Sequence, residues 1–250
     1  MHGLWIALAL VATPAMAQAP DAALARAEQM GRLIYDHDQA AWHATDEMRR
    51  QVASSPASGG WVVEPRDGLL RVIFYDDTSG AARAFFWADM RGKAVVASHR
   101  VTPEEDARLT PRQTRLVQAG AAARAERKTP CTDAPFNTVI VPPENDAGPV
   151  TVYQLTPMTS SGVYPLGGHY RVDVGADGRI TGGRDFTKAC FNLNMAGAPP
   201  GGIPGVTHLM DPRPTEIHVF LSLWMGRPLY VMTGEDSVWI VDQGRIGRGK

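Results

Sequence analysis

Residues 61–101 read WVVEPRDGLLRVIFYDDTSGAARAFFWADMRGKAVVASHRV and decide the fold of the first half. The stretch holds four short runs rich in β-branched and aromatic residues, a composition typical of strands. These runs occupy residues 61–64, 69–75, 82–88 and 93–101. Turn-forming residues such as Asp67 and Gly68 separate them. Because the connections are too short for crossover helices, we expect an antiparallel meander.

Helical patterns flank this meander. Apolar residues recur at steps of three, four or seven from residue 21 to about residue 52 without an internal proline, which predicts one helix or two joined end to end. His37 lies on this apolar stripe, where we expect a hydrogen-bonded core residue rather than a ligand. After the meander, residues 102–105 (TPEE) and 110–113 (TPRQ) each combine a capping threonine, a proline and a Glu or Gln at the third position. We therefore expect a central helix that breaks and restarts, ending near residue 127.

The remainder of the chain again favours strands. They are predicted at residues 136–141, 150–155, 169–174, 215–223, 229–233 and 237–241. Residues 176–178 and 234–236 are suited to hairpin loops, and the Gly/Pro-rich residues 195–205 predict a long loop. The fold class is thus α+β, with an N-terminal helix, an antiparallel meander, a central broken helix and a second, mainly antiparallel sheet. We expect residues 18–128 and 129–250 to form two subdomains or one continuous domain.

The first residues are typical of a cleavable signal peptide. Residues 4–12 are continuously apolar, and the small residues Ala15 and Ala17 predict cleavage between Ala17 and Gln18. The leading residues carry no Lys or Arg, which departs from the usual pattern. The apolar run is well short of the roughly 20 residues that span a bilayer. We therefore expect a soluble exported protein, in the periplasm or outside the cell, with no transmembrane segment in the mature chain.

The chain has two cysteines, Cys131 and Cys190. Exported thiols normally oxidise, so the pair predicts a disulfide. The alternative is that Cys190 is a nucleophile activated by a nearby histidine, but no local motif supports it.

Charge and motifs exclude several classes of function. The net charge is −1 with acids and bases interspersed, so nucleic acid is not an expected partner. The sequence contains no phosphate-binding loop, dinucleotide-binding motif, nucleophile elbow, C-x-x-C pair or EF-hand loop. No cofactor is indicated, and the expected partner is an unidentified protein or small molecule.

Candidate chemistry is concentrated in the second half, at His169, His208, Glu216 and His218. A strand from residue 215 would place Glu216 and His218 side by side on one face. These four residues suit a zinc site, and Glu216 with a histidine suits an acid/base pair under a lid formed by residues 195–205. The spacing matches no zinc signature, however, and the competing interpretation makes Glu216 and His218 solvated or locally hydrogen-bonded.

Three functions therefore stay open. We expect a non-catalytic binding or accessory factor of the bacterial cell envelope, since the Ala-, Gly- and Arg-rich composition is typical of a bacterium with GC-rich codons. The first alternative is a periplasmic hydrolase, metal-assisted or acid/base, that uses the four residues above. The second is a structural or subunit-interaction protein, which would present an exposed edge strand or an apolar patch.

Overall fold

A computed structural model describes residues 21–54, 56–145, 147–199, 201–234 and 237–249. The predicted cleavage site at Ala17 and Gln18 lies outside these ranges. Within them the chain forms three helices and fourteen strands. In chain order these are α1 (Ala22–Gln51), β1 (Gly59–Arg66), β2 (Leu69–Asp76), β3 (Arg83–Arg91), β4 (Ala94–Arg100), α2 (Pro111–Ala125), β5 (Asn137–Val141), β6 (Val150–Leu155), β7 (Val163–Pro165), β8 (Tyr170–Val174), β9 (Ile180–Asp185), β10 (Asn192–Asn194), β11 (Gly205–Thr207), α3 (Glu216–Met225), β12 (Leu229–Met232), β13 (Val238–Asp242) and β14 (Arg245–Arg248).

The predicted meander is confirmed. Strands β1 to β4 form one antiparallel sheet in chain order. Val72 and Phe74 point to one face and pack in a cluster with α1, whereas Ile73 and Tyr75 point to the other face and pack in a cluster with α2. Because both faces are covered, the alternation of apolar and polar residues along β2 is imperfect.

Helix α1 is a single helix of 30 residues. Asp21 caps it by accepting a hydrogen bond from the Ala23 amide at 3.1 Å. His37 is buried in it, as predicted, but its Nδ1 has no hydrogen-bond partner among the described residues. Helix α2 begins with the predicted capping box, in which Thr110 and Gln113 bond each other's backbone amides.

The predicted helical piece after Thr102 is wrong. The Glu105 carboxylate does accept from the Thr102 amide at 2.7 Å, but the segment is only a turn. The same carboxylate contacts His99 Nε2 at 2.9 Å. The backbone of Arg108 then pairs with that of Arg83 in β3 as an isolated antiparallel β-bridge. The chain thus returns to the meander instead of continuing as a helix.

The second half contains two four-stranded sheets and a two-stranded ribbon. One sheet has the order β5-β6-β8-β9 and is antiparallel throughout. The other has the order β11-β12-β13-β14, in which only β11 and β12 are parallel. The ribbon pairs β7 with β10. Strands β7, β9, β10, β11 and β14 were not predicted, because they are short or glycine-containing.

The predicted strand at residues 215–223 is wrong, because this segment is helix α3. Residues 216–225 read EIHVFLSLWM, a nearly continuous apolar run, and such runs show no period that separates a strand from a buried helix. The helix ends at Gly226, whose φ of 62° is the left-handed conformation that favours glycine at this position. Its side chains from Ile217 to Ser222 are all buried.

The buried side chains connect the two halves of the sequence. Ile34 of α1 belongs to a cluster whose other buried members come from residues 139–241. Val62 and Ile73 of the meander share a cluster with Ile140, Val152 and other residues of the β5-β6-β8-β9 sheet. The α+β class is confirmed, and in the described part of the chain no helix is long and apolar enough to cross a bilayer.

Candidate functional site

Glu216 lies apart from the histidines that the sequence grouped with it. As the first and third residues of α3, Glu216 and His218 point about 200° apart around the helix axis. The Glu216 carboxylate accepts a hydrogen bond from the Tyr153 hydroxyl at 3.1 Å and lies 3.9 Å from Nη1 of Arg171. The two side chains therefore do not form the predicted acid/base pair.

His169 is a fully buried structural residue. Its Nδ1 accepts from the Thr156 amide at 3.3 Å, and its Nε2 lies 3.0 Å from the Pro165 carbonyl oxygen, to which it donates. Burial lowers the pKa of His169 to about 4, so the ring is neutral at pH 7. With both nitrogens engaged, it has no free position for a ligand.

His218 serves the start of its own helix. Its Nδ1 accepts from the Thr215 amide at 3.0 Å. Burial, and then the adjacent His208, lower the pKa of His218 to about 3. The two rings meet edge to face with their centroids 4.6 Å apart, so the structure does bring His208 and His218 together.

His208 is held by a carboxylate. Its Nε2 lies 2.7 Å from Oδ2 of Asp211, and Arg184 binds both oxygens of the same carboxylate at 3.0 and 2.5 Å. Burial alone would raise the pKa of Asp211, but the hydrogen bonds from Arg184 and His208 outweigh it and hold the pKa below its ordinary value. An ionised Asp211 keeps the proton of His208 on Nε2 and fixes the ring.

Arg184 was not recognised from the sequence, because the β9 sequence ITGGRD resembles a loop. Its guanidinium lies over the Phe186 ring at 4.7 Å from the centroid. The only sign of this cluster in the sequence is that Asp211 follows His208 by three residues.

No metal centre follows from these side chains. Across the described ranges, no group of three or more His, Cys, Asp or Glu residues is placed to hold a metal ion. Glu216 is turned toward Tyr153 and Arg171, and His169 uses both ring nitrogens in the core. His169, His208, Glu216 and His218 therefore do not support a zinc site.

His208 forms part of the lining of a cavity of about 820 Å³, which we call the His208 cavity. Its lining is mostly apolar. The lining residues are Leu166, Phe186, Thr187, Lys188, Ala189, Phe191, Gly205, Val206, Thr207, His208, Leu209, Met210 and Met232. Gly205 belongs to the Gly/Pro-rich loop that the sequence singled out as a lid.

One wall of the His208 cavity, residues 186–191, is anchored at three points. Cys190 forms the predicted disulfide with Cys131. The Leu166 amide donates to the Phe191 carbonyl at 2.8 Å, and the Gly168 amide donates to Thr187 Oγ1 at 3.2 Å. The wall is therefore preformed.

The opposite wall consists of β11 and residues 208–210. Two backbone hydrogen bonds extend the pairing of β11 with β12. The Tyr230 amide donates to the Pro204 carbonyl, and the His208 amide donates to the Met232 carbonyl. Leu209 is 81% exposed, and Phe191 across the cavity is 52% exposed. Large apolar side chains are thus left in contact with water around a concave surface.

No protein-family model, curated protein or solved structure matches this chain in the comparisons.

Proposed function

We propose that this chain is an exported binding protein of the bacterial cell envelope that holds a small amphipathic anion in the His208 cavity. The observation that supports this most strongly is a preformed cavity of about 820 Å³ with mainly apolar walls and few polar groups. This volume and lining are typical of sites for small molecules. The disulfide and the apolar N-terminal segment support export.

The apolar part of the ligand would cover the exposed side chains of the walls. Phe191, Leu209, Met210 and Met232 are each at least 39% exposed. Removing apolar surface from water contributes about 25 cal/mol per Å². Burying an alkyl chain or an aromatic ring of the ligand in this cavity would therefore favour binding. Buried Phe186 and Leu166 provide the floor.

The anionic part of the ligand is inferred from Lys188. Lys188 lines the cavity, and it forms no ion pair with any described residue. Asp211, which contacts His208 of the lining, is already bound by Arg184 and His208. A carboxylate or sulfonate on the ligand would thus meet an uncompensated cation.

The binding proposal is tested with an apolar anionic dye, anilinonaphthalene sulfonate, and three competitors of equal chain length. We expect decanoate to displace the dye at lower concentration than decanol does, and decyltrimethylammonium to be the weakest. Leu209→Ser should weaken dye binding about tenfold, which corresponds to 1.4 kcal/mol. Val96→Ser changes a 50% exposed apolar residue of the meander and is the matched control.

Lys188→Gln separates the charge from the apolar contribution. This variant should lose the preference for decanoate over decanol while still binding decanol. If the dye is not bound, or if Leu209→Ser and Val96→Ser bind it equally, the proposal fails.

A second candidate, acid/base hydrolysis, is favoured by the bond between His208 and Asp211. A histidine fixed by a carboxylate at the wall of a cavity can take a proton from water. This hypothesis predicts that the wild type hydrolyses nitrophenyl esters of medium-chain acids. His208→Gln should abolish this activity, and Asp211→Asn should reduce it. Equal rates in the wild type and His208→Gln would reject it.

The export and subunit-interaction hypotheses have direct tests. Export predicts a periplasmic or extracellular protein whose N-terminal sequencing begins at Gln18. A subunit-interaction role predicts a self-associated species in sedimentation that Leu209→Ser converts to monomer and Val96→Ser does not. A wild-type monomer that binds the dye favours the binding function.

A further inference from the structure

A second cavity, of about 370 Å³, lies where α1, β1 and β5 meet the end of α3. Three tryptophans line it, and we call it the tryptophan cavity. Its lining includes Asp38, Trp42, Arg49, Trp61, Asn137 and Trp224. It shares no lining residue with the His208 cavity.

Asp38 brings a nearly buried carboxylate to this cavity. It is only 8% exposed, and burial raises its pKa to about 6 despite hydrogen bonds from Gln39 and Asn137. Those two bonds are long, at 3.2 Å from Gln39 Nε2 and 3.4 Å from Asn137 Nδ2. No lysine, arginine or histidine of the described residues forms an ion pair with Asp38. A carboxylate has about four acceptor positions, so Asp38 has capacity left for a cation.

The three tryptophans line the same cavity as this carboxylate. Trp224 is stacked on Phe220 at 5.4 Å between centroids, and Tyr164 meets it edge-on at the same distance. Trp61 packs against Phe74, while Trp42 stacks on His43 yet stays 51% exposed. Indole faces attract cations, most strongly those that are weakly hydrated.

Arg49 gives the cavity a charge of the opposite sign. It is exposed and forms no ion pair within the described chain, whereas the neighbouring Arg50 pairs with Glu47. Asp38 and Arg49 lie eleven residues apart on the same face of α1, a rise of about 16 Å, so the two charges are not paired with each other. The cavity therefore presents one anionic and one cationic position beside aromatic walls.

We propose that the tryptophan cavity binds a small zwitterion, with an alkylated ammonium group beside Asp38 and an acidic group beside Arg49. A buried carboxylate without a cationic partner is costly, and a ligand cation offsets this cost. A metal ion or a primary ammonium is strongly hydrated and gains less from indole faces. An uncharged sugar would leave Asp38 without a counter-charge.

Titration calorimetry of the full mature chain tests the proposal with defined probes. We expect trimethylglycine and phosphocholine to bind, choline to bind about tenfold more weakly because it lacks the acidic group, and ammonium phosphate and glucose not to bind at about 10 mM. The proposal is overturned if neither zwitterion binds at that concentration, or if glucose binds better than both.

Two variants test the contribution of each charged residue to binding. Asp38→Asn should weaken trimethylglycine binding at least about thirtyfold, and Arg49→Gln should remove its advantage over choline while choline binding persists. Arg50→Gln is the matched control and should change neither. Unchanged binding in Asp38→Asn contradicts the proposal.

Trp42→Ala keeps the test decisive if Asp38→Asn does not fold, because Trp42 is half exposed. It should weaken both zwitterions at least about tenfold. Leu209→Ser should leave this binding intact, so the tryptophan cavity is tested separately from the His208 cavity.

Discussion

Three buried histidines are kept neutral by their surroundings. Burial lowers the pKa of His37 and His169 to about 4 and that of His218 to about 3. In the unfolded chain the same rings bind protons below a pKa of about 6.5. Between these values the unfolded state holds more protons, so their contribution to stability is present above pH 6.5 and decreases as the pH falls.

We therefore expect the melting temperature to fall on acidification from pH 7 to pH 5. The loss is about 2 kcal/mol at most for each of the three histidines. Asp38 acts in the opposite sense, since its raised pKa favours the folded protein as the carboxyl becomes protonated. Thermal denaturation followed by circular dichroism checks this, and His169→Gln should flatten the pH dependence. An unchanged melting temperature at pH 5 would contradict it.

The candidate site was only partly predictable from single residues. His208 and Asp211 are three residues apart in the sequence and form a hydrogen bond in the structure, and His37, which was interpreted as a core residue, is buried. The sequence could not pair His169 with Thr156 and Pro165, because those partners come from other segments. Arg184 and Asp38 depend on contacts between elements, which no local pattern encodes.

At the scale of elements, similar local signals had different outcomes. In TPEE the Thr102 amide donates to the Glu105 carboxylate, and in TPRQ Thr110 and Gln113 form a complete capping box, but only the second starts a helix. The second is followed by residues that bury an apolar face, including Leu116, Val117 and Ala123, whereas the first is followed by charged residues. Packing of a face, more than the cap, decides whether the helix forms.

The crossing of α1 and α3 depends on Gly31. A Cβ at this position would lie 2.6 Å from the Glu216 carbonyl oxygen and would overlap Val219. Gly31→Ala should therefore destabilise the protein by about 1–3 kcal/mol, although alanine favours helices. Chemical denaturation measures this.

Gly120→Ala in α2 is the matched control. Its added Cβ would crowd the end of the Ile140 side chain, at 2.9 Å, which can shift, and would lie at ordinary contact distance from Arg124 Nη1, at 3.6 Å. We expect a change within about 1 kcal/mol, because helix propensity compensates for crowding. Equal destabilisation by both variants would show that close approach of α1 and α3 is unimportant.

At the scale of the whole molecule, the α+β class, the meander and the disulfide were predictable. Strong periodicity and turn chemistry encode the meander, and the two cysteines left one pairing. The arrangement of the second half was not predictable, because short strands such as β11 exist only through pairing with distant partners.

Removal of the disulfide should affect stability and the His208 cavity together. The bond joins cysteines 59 residues apart, and in the chain-entropy model its loss costs about 4 kcal/mol. The double variant Cys131→Ser, Cys190→Ser should unfold at lower denaturant and bind the dye more weakly, because Cys190 lies between Ala189 and Phe191. It should bind trimethylglycine unchanged while folded. Dye affinity equal to wild type would contradict the anchoring role.

Helix α1 also makes contact with β14, more than two hundred residues later. The Glu28 carboxylate accepts from the Ile246 amide at 2.8 Å and from Arg245 at 3.2 Å, and Arg32 donates to the Gly244 carbonyl. Glu28 and Arg32 therefore gain these partners only after β14 has left the ribosome, so the N-terminal part of α1 is fixed in place when nearly the whole chain has been made.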